Sequence, residues 1–157
     1  MAKTTTVREI IPVCKKLKLE GKTTVLVGGC FDVIHPGHVI FLEKARKAGD
    51  ILIVFLESDK KVRELKGIDR PIHNQKERAK VLSALRPVDY IVRLPYMNRD
   101  REYDQLIIKI KPDVIAATAK DANNAHQIRS AKLSGAVFKV VTNMIGDYSS
   151  SKILYEN

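Results

Sequence analysis

Tryptophan is absent from this 157-residue chain, and phenylalanine and tyrosine leave the aromatic content at 6%. So sparse an aromatic set argues against a platform that binds single-stranded nucleic acid by base stacking. The two cysteines, Cys14 and Cys30, fit no metal-ligand spacing and are too few for a disulfide framework. They suit a reducing cytoplasm. No apolar run approaches the ~20 residues of a membrane span. The opening "MAKTTTVREI" has a lysine but no apolar segment, so no secretory signal is read there. Internal repeats, low-complexity tracts and long linkers are missing too. Acidic residues are outnumbered, 18 against 28 lysines and arginines, giving a formal charge of +10. That balance suits a nucleic-acid footprint or a pocket for phosphorylated small molecules. The basic residues are scattered rather than blocked, which disfavours the basic nucleic-acid-binding module.

What is present is ordinary for one globular domain: 45% hydrophobic and 29% charged residues, in a chain long enough to bury a core without staples. Apolar runs alternate with helical periodicity. Strands are read at 23–29, 50–58, 89–94, 113–118 and 136–142. Helices are read at 7–19, 38–49, 75–86, 100–111 and 123–134, with a short one from 59 and another in 148–157. The strand runs are too apolar to alternate, as expected when both sheet faces are covered. The fold class predicted is α/β: a Rossmann-like, doubly wound sheet of about five parallel strands with helices on both faces. Residues 1–20 are read as an N-terminal helical extension of a single domain covering 1–157. In such sheets ligands bind beyond the carboxyl ends of the strands.

The stretch "GGCFDVIHPGH" (28–38) lies at the end of the first predicted strand. Gly28 and Gly29 allow a sharp turn and close approach of a ligand. The helix beginning near Gly37 points its positive end at the same space. The pattern is neither a Walker loop nor a dinucleotide fingerprint, because the spacings differ. His35 and His38 flank Pro36-Gly37, so both rings can face one cavity. Two imidazoles at a helix N-terminus can clamp polyphosphate oxygens and stabilise a transferring phosphoryl group. A metal would need a third ligand, and none is placed nearby. Asp32 reads as a loop-fixing carboxylate, and His73 and His126 as surface or satisfied histidines.

These residues resemble the Gly-x-Phe-Asp…His-x-Gly-His signature of the cytidylyltransferase-like nucleotidyltransferases. "RELKGIDRPIHNQKERAKVLSALRPVDYIV" (63–92) is similar to a second run of that family, and "YSSSKI" (148–153) to its closing Ser/Thr-rich phosphate motif. The motifs occur in the family's order and span roughly 21–155. The resemblance implies transfer of a nucleoside monophosphate from a triphosphate to a phosphorylated acceptor, releasing pyrophosphate. It implies that Gly29, Gly37 and the amides around Cys30 and Phe31 hold the nucleotide, with His35 and His38 on the β/γ side. Lys66, reaching in from the loop after the second strand's helix, would neutralise the α-phosphate and the acceptor phosphate. Arg78 would fork the acceptor's phosphate bidentately, its alternative being a surface ion pair with Glu77 or Asp89. Ser149, Ser150 and Ser151 would bind the β/γ-phosphates. The acceptor's own phosphate attacks, and Mg²⁺ is held largely by the nucleotide phosphates.

Three branches of the family compete. The leading helix, "GKTTVLVGGCFD" and "RELKGIDRP" look most like the adenylyltransferase domain acting on heptose 1-phosphate. Other segments resemble archaeal-type FAD synthases, which adenylylate FMN. Glycerol-3-phosphate cytidylyltransferases usually carry a tryptophan-bearing segment, absent here. Where the heptose branch shows Gly-Gly-Asp-Tyr, this chain has "AATAKDANN" (116–124), with Asp121 a candidate for the nucleotide-binding aspartate. The partners implied are ATP before CTP and a phosphorylated small molecule, with a homodimer admitted and no membrane.

Overall fold

The computed structural model of the protein describes residues 1–143 and 148–155. Six strands form one all-parallel sheet: β1 (Lys3–Thr6), β2 (Thr24–Gly29), β3 (Ile51–Leu56), β4 (Tyr90–Arg93), β5 (Val114–Thr118) and β6 (Val137–Thr142), in the order β1-β4-β3-β2-β5-β6. The helices are α1 (Val7–Leu19), α2 (Pro36–Arg46), α3 (Asp59–Lys66), α4 (Gln75–Ser83), α5 (Asp100–Ile110), α6 (Asn124–Ser134) and α7 (Ser150–Tyr155).

Alternation along the strands explains the unbroken apolar runs. Val25, Val27, Leu52, Val54, Leu56 and Ile91 face Leu42 and Ala45 of α2 and Ala79 and Leu82 of α4. Their neighbours Leu26, Ile53, Phe55 and Val92 face the other way, onto Ile10 and Cys14 of α1, Leu106 and Ile107 of α5, and Ala131 of α6. Strands β2, β3 and β4 are therefore apolar on both sides.

The expected five strands are six. The added β1 pairs with β4 from Lys3↔Tyr90 to Thr6↔Arg93. Four polar, mostly threonine residues on a sheet edge give no apolar run, so only the long-range pairing reveals the strand. The first twenty residues are thus part of the sheet and its core. Thr6 caps α1 through a reciprocal box with Glu9, and Pro12 sits inside an otherwise continuous helix.

From β2 the chain winds one way to β3 and β4, then crosses back to β5 and β6 on the other side. The reversal lies between β2 and β5, where doubly wound sheets open a crevice. These two strands pair only at Val25↔Val114 and Leu26↔Ile115, whereas β2 stays paired with β3 up to Gly29↔Leu56. Beyond Leu26 the sheet has parted.

Candidate active site

A cleft of about 970 Å³ fills that parting. Gly29, Cys30, Phe31, His35, Gly37 and His38 line it from the β2–α2 turn. Lys66 comes from α3, Asp121 from the loop after β5, and Ser149, Ser150 and Ser151 from the start of α7. Arg78 is not among the lining residues.

The turn is built around a strained residue. Phe31 is 4% exposed and adopts φ 45°, a left-handed conformation costly for a bulky side chain. Its ring lies over Gly29, where a Cβ would sit 2.8 Å from Phe31 Cε2. Gly29 is therefore required by Phe31. The ring also leans on His38, with centroids 5.2 Å apart.

His35 is the N-cap of α2, its Nδ1 accepting from the His38 amide at 3.4 Å, and Pro36 follows in the first turn. The two imidazoles stack with centroids 3.7 Å apart and planes 24° apart. Two adjacent imidazolium ions would repel, and the surroundings keep both rings uncharged at neutral pH. Burial, then the neighbouring His35 and Lys66, push His38 down to about 3. Burial and Lys66 lower His35 as well. His38 Nδ1 is buried with no hydrogen-bond partner among the described residues. Gly37 is tightly packed: a Cβ there would lie 3.1 Å from His35 Nδ1 and 3.3 Å from Tyr148 Cβ.

Behind the turn runs a buried ionic network. Asp32 pairs with Arg70, both side chains fully buried, and accepts from the amides of Ile72 at 2.9 Å and His73 at 3.2 Å. Burial pushes the Asp32 carboxyl up, but these hydrogen bonds together outweigh it and hold it below its ordinary value. Asp32 is the loop-fixing carboxylate its position suggested. Arg70 carries the network onward, donating to Ser150 Oγ at 3.0 Å and Ser151 Oγ at 3.5 Å. Lys66 Nζ reaches Ser150 Oγ at 3.4 Å, from the last residue of α3 rather than from the loop. Gly67, at φ 109°, ends that helix. Ser149 accepts from the Lys152 amide at 3.0 Å, the local cap of α7. Arg70, the arginine of "RP" in the second motif, is a site residue that its sequence position does not announce. Nothing local distinguishes a buried loop arginine from a solvated one.

Arg78 corrects an expectation. Its side chain is completely buried, and its guanidinium donates to the carbonyls of Cys30, Glu57 (2.8 Å) and His73 (3.0 Å) and to Asp59 Oδ1 at 2.7 Å. With four of its five N–H donors taken and its side chain buried, it has no pair of free donors left to fork a phosphate. It ties the β2 turn, the end of β3 and the start of α4 together from beneath the cleft. Its ion-pair partner is Asp59, not Glu77 or Asp89. His73 and His126 are exposed and face Glu77 at 3.7 Å and Asp100 at 3.2 Å. Asp121 accepts from the Asn123 amide at 2.7 Å, holding the loop after β5.

The wall opposite the histidines comes from β3, α5 and α6. Glu57 follows β3, its amide donating to Gly29 O at 3.1 Å, and its carboxylate accepts from Tyr103 Oη of α5 at 3.0 Å. Gln127 of α6 lines the same wall. No group of three or more His, Cys, Asp or Glu side chains placed to hold a metal occurs among the described residues.

Residues 26–154 match the cytidylyltransferase-like family. The chain belongs to that family. The bifunctional protein HldE of Campylobacter fetus subsp. fetus (strain 82-40) is 39% identical over 145 residues, covering 88% of this chain and 31% of that protein. The bifunctional protein HldE of Desulfatibacillum aliphaticivorans is 34% identical over 158 residues, covering 99% and 31%. The chain therefore spans under a third of the length of these curated relatives. The crystal structure of the lipopolysaccharide core biosynthesis protein from Thermoplasma volcanium GSS1 superposes with a TM-score of 0.63 at 29% identity, covering 82% of this chain and 100% of that one. A pantoate-beta-alanine ligase from Francisella tularensis, solved with beta-gamma ATP and beta-alanine, has a TM-score of 0.62 at 12% identity over 98% of this chain and 76% of that one, a likeness of fold.

Proposed function

We propose that this cytidylyltransferase-like chain is a nucleotidyltransferase that moves AMP from ATP onto a phosphorylated acceptor of the heptose 1-phosphate kind. The observation that carries the reading is the uncharged His35–His38 stack at the start of α2, facing Lys66 and the Arg70-held serines across one cleft. An acceptor phosphate oxygen attacks the α-phosphorus, the bond to the β-phosphate oxygen breaks, and pyrophosphate leaves. No side chain need act as a nucleophile. The neutral imidazoles donate hydrogen bonds to oxygens on which charge builds, and the N-terminus of α2 adds its partial positive charge. Lys66 screens the repulsion between attacking and attacked phosphates.

Mg²⁺ belongs to the proposal and would supply further charge neutralisation. Asp32 is already committed to Arg70 and two amides, so these residues fit a metal bound through the nucleotide's own phosphates. Use of ATP and two free cysteines fit a cytoplasmic setting. Among the described residues no helix is long and apolar enough to cross a membrane.

The test is pyrophosphate release with ATP or CTP against heptose 1-phosphate, FMN and glycerol 3-phosphate, with Mg²⁺ or excess chelator. Release that requires ATP, heptose 1-phosphate and Mg²⁺ together is expected. Turnover with FMN or with CTP and glycerol 3-phosphate moves the chain to another branch, and silence across the panel overturns the reading.

A further inference from the structure

The transfer chemistry leaves a half-buried carboxylate in the cleft unused. Glu57 sits at the end of β3, a strand's width from the β2 turn where the phosphates belong. A carboxylate there repels every anion the cleft is proposed to bind. Structural reasons do not account for it: Arg78 holds the Glu57 carbonyl and gives its side-chain ion pair to Asp59. Tyr103 donates to Oε2, and no donor among the described residues meets Oε1. A second unmet acceptor lies in the same wall, since Gln127 Oε1 is buried without a partner. Apolar Leu94, Ile107 and Ile115 complete that wall.

Unmet acceptors in a cleft ask for a ligand rich in donors. An ammonium is the poorer fit, because Lys61 and Arg78 already lend the carboxylate positive charge. Burial also raises the Glu57 carboxyl above its ordinary value. Neutral hydroxyls supply donors without adding a cation. Position agrees: Cys30, Glu57 and Lys66 line the same cleft, so a phosphate held at Lys66 puts the rest of the acceptor within reach of Glu57.

We infer that Glu57, with Tyr103 and Gln127, forms a polyol-reading subsite that holds the hydroxyls of the acceptor's body and selects sugar phosphates over acceptors without hydroxyls. The inference rests on the nucleotidyltransferase reading for the place of the phosphate, and its test is a binding measurement that needs no turnover. Calorimetry gives Kd for heptose 1-phosphate, propyl phosphate and phosphoethanolamine on the native chain, Glu57→Gln and Tyr103→Phe, each checked for an unchanged Tm. The native chain should prefer heptose 1-phosphate to propyl phosphate. Glu57→Gln should shrink that preference by about ten- to a hundredfold, the range for a hydrogen bond to a charged group. Its propyl phosphate affinity should hold or rise as a repelling charge is lost. Tyr103→Phe should shrink the preference less. A preference equal in all three proteins, or absent from the native chain, overturns the subsite. Tightest binding of phosphoethanolamine, lost in Glu57→Gln, overturns the hydroxyl assignment. Failure of turnover with binding selectivity intact sinks the transfer reading alone.

Discussion

The two walls of the cleft are made differently. The histidine wall comes from one run of eleven residues, 28–38, where strand, turn and helix start follow one another. The opposite wall takes Glu57 from β3, Tyr103 from α5 and Gln127 from α6, elements that meet only because the chain crosses the sheet twice. A phosphate site can be local, since backbone turns and a helix N-terminus are local devices. A site that reads a variable acceptor is free to be assembled from distant parts. Beneath both walls, Arg70 and Arg78 hold the loops in register.

The comparison breaks most directly at those arginines. Arg78→Ala should lower folding stability by several kcal/mol, about 1–3 kcal/mol for each carbonyl it leaves without a donor. The Asp59 pair adds little, because its carboxylate side chain is 39% exposed. The protein that stays folded should keep its acceptor KM. Denaturant melts and kinetics on the same sample check this, and a stable variant with a raised acceptor KM would return Arg78 to the acceptor's phosphate.

On the histidine wall the effect moves from stability to rate. Lys66→Ala should cut kcat/KM roughly 10²–10³-fold and His38→Ala should cut kcat on the order of 10²-fold, both with little change in Tm. Steady-state kinetics beside thermal melts decide it. Near-native kcat in His38→Ala would leave the imidazole stack as packing for the Phe31 turn.

The smallest effect is a pH dependence. His38 is held near 3 when folded against an ordinary 6.5. Between those values the unfolded chain binds the extra proton, so stability is full above pH 6.5 and falls as pH drops toward 3. The slope is at most roughly 1.4 kcal/mol per pH unit. His38→Gln should flatten the Tm profile between pH 6.5 and 4.5. Asp32, also lowered, acts only below its ordinary 3.8 and leaves that window alone. Parallel profiles for the two proteins would mean that His38 is not held neutral.

By itself the sequence determined the alternation of five strands with helices and placed the histidine turn at a strand end. Both follow from nearest-neighbour chemistry: apolar runs bounded by turn residues, and a helix start that must cap itself. It also put Lys66 beside the cleft, though in the loop rather than on the last residue of α3. Only the tertiary structure decided the rest. The edge strand β1 exists because Tyr90–Arg93 offers it an edge. In the sequence Arg78 reads as a phosphate fork or a surface ion pair and Arg70 stands out for nothing, whereas burial together with the carbonyls and carboxylates around them makes Arg70 a link to the serines and Arg78 a staple. Glu57 has no motif of its own in the sequence, and only the fold leaves its carboxylate lining the cleft with one oxygen unmet. Charge and hydrogen-bonding capacity are written in each residue, but what they meet depends on neighbours tens of residues away, which no window of the sequence contains.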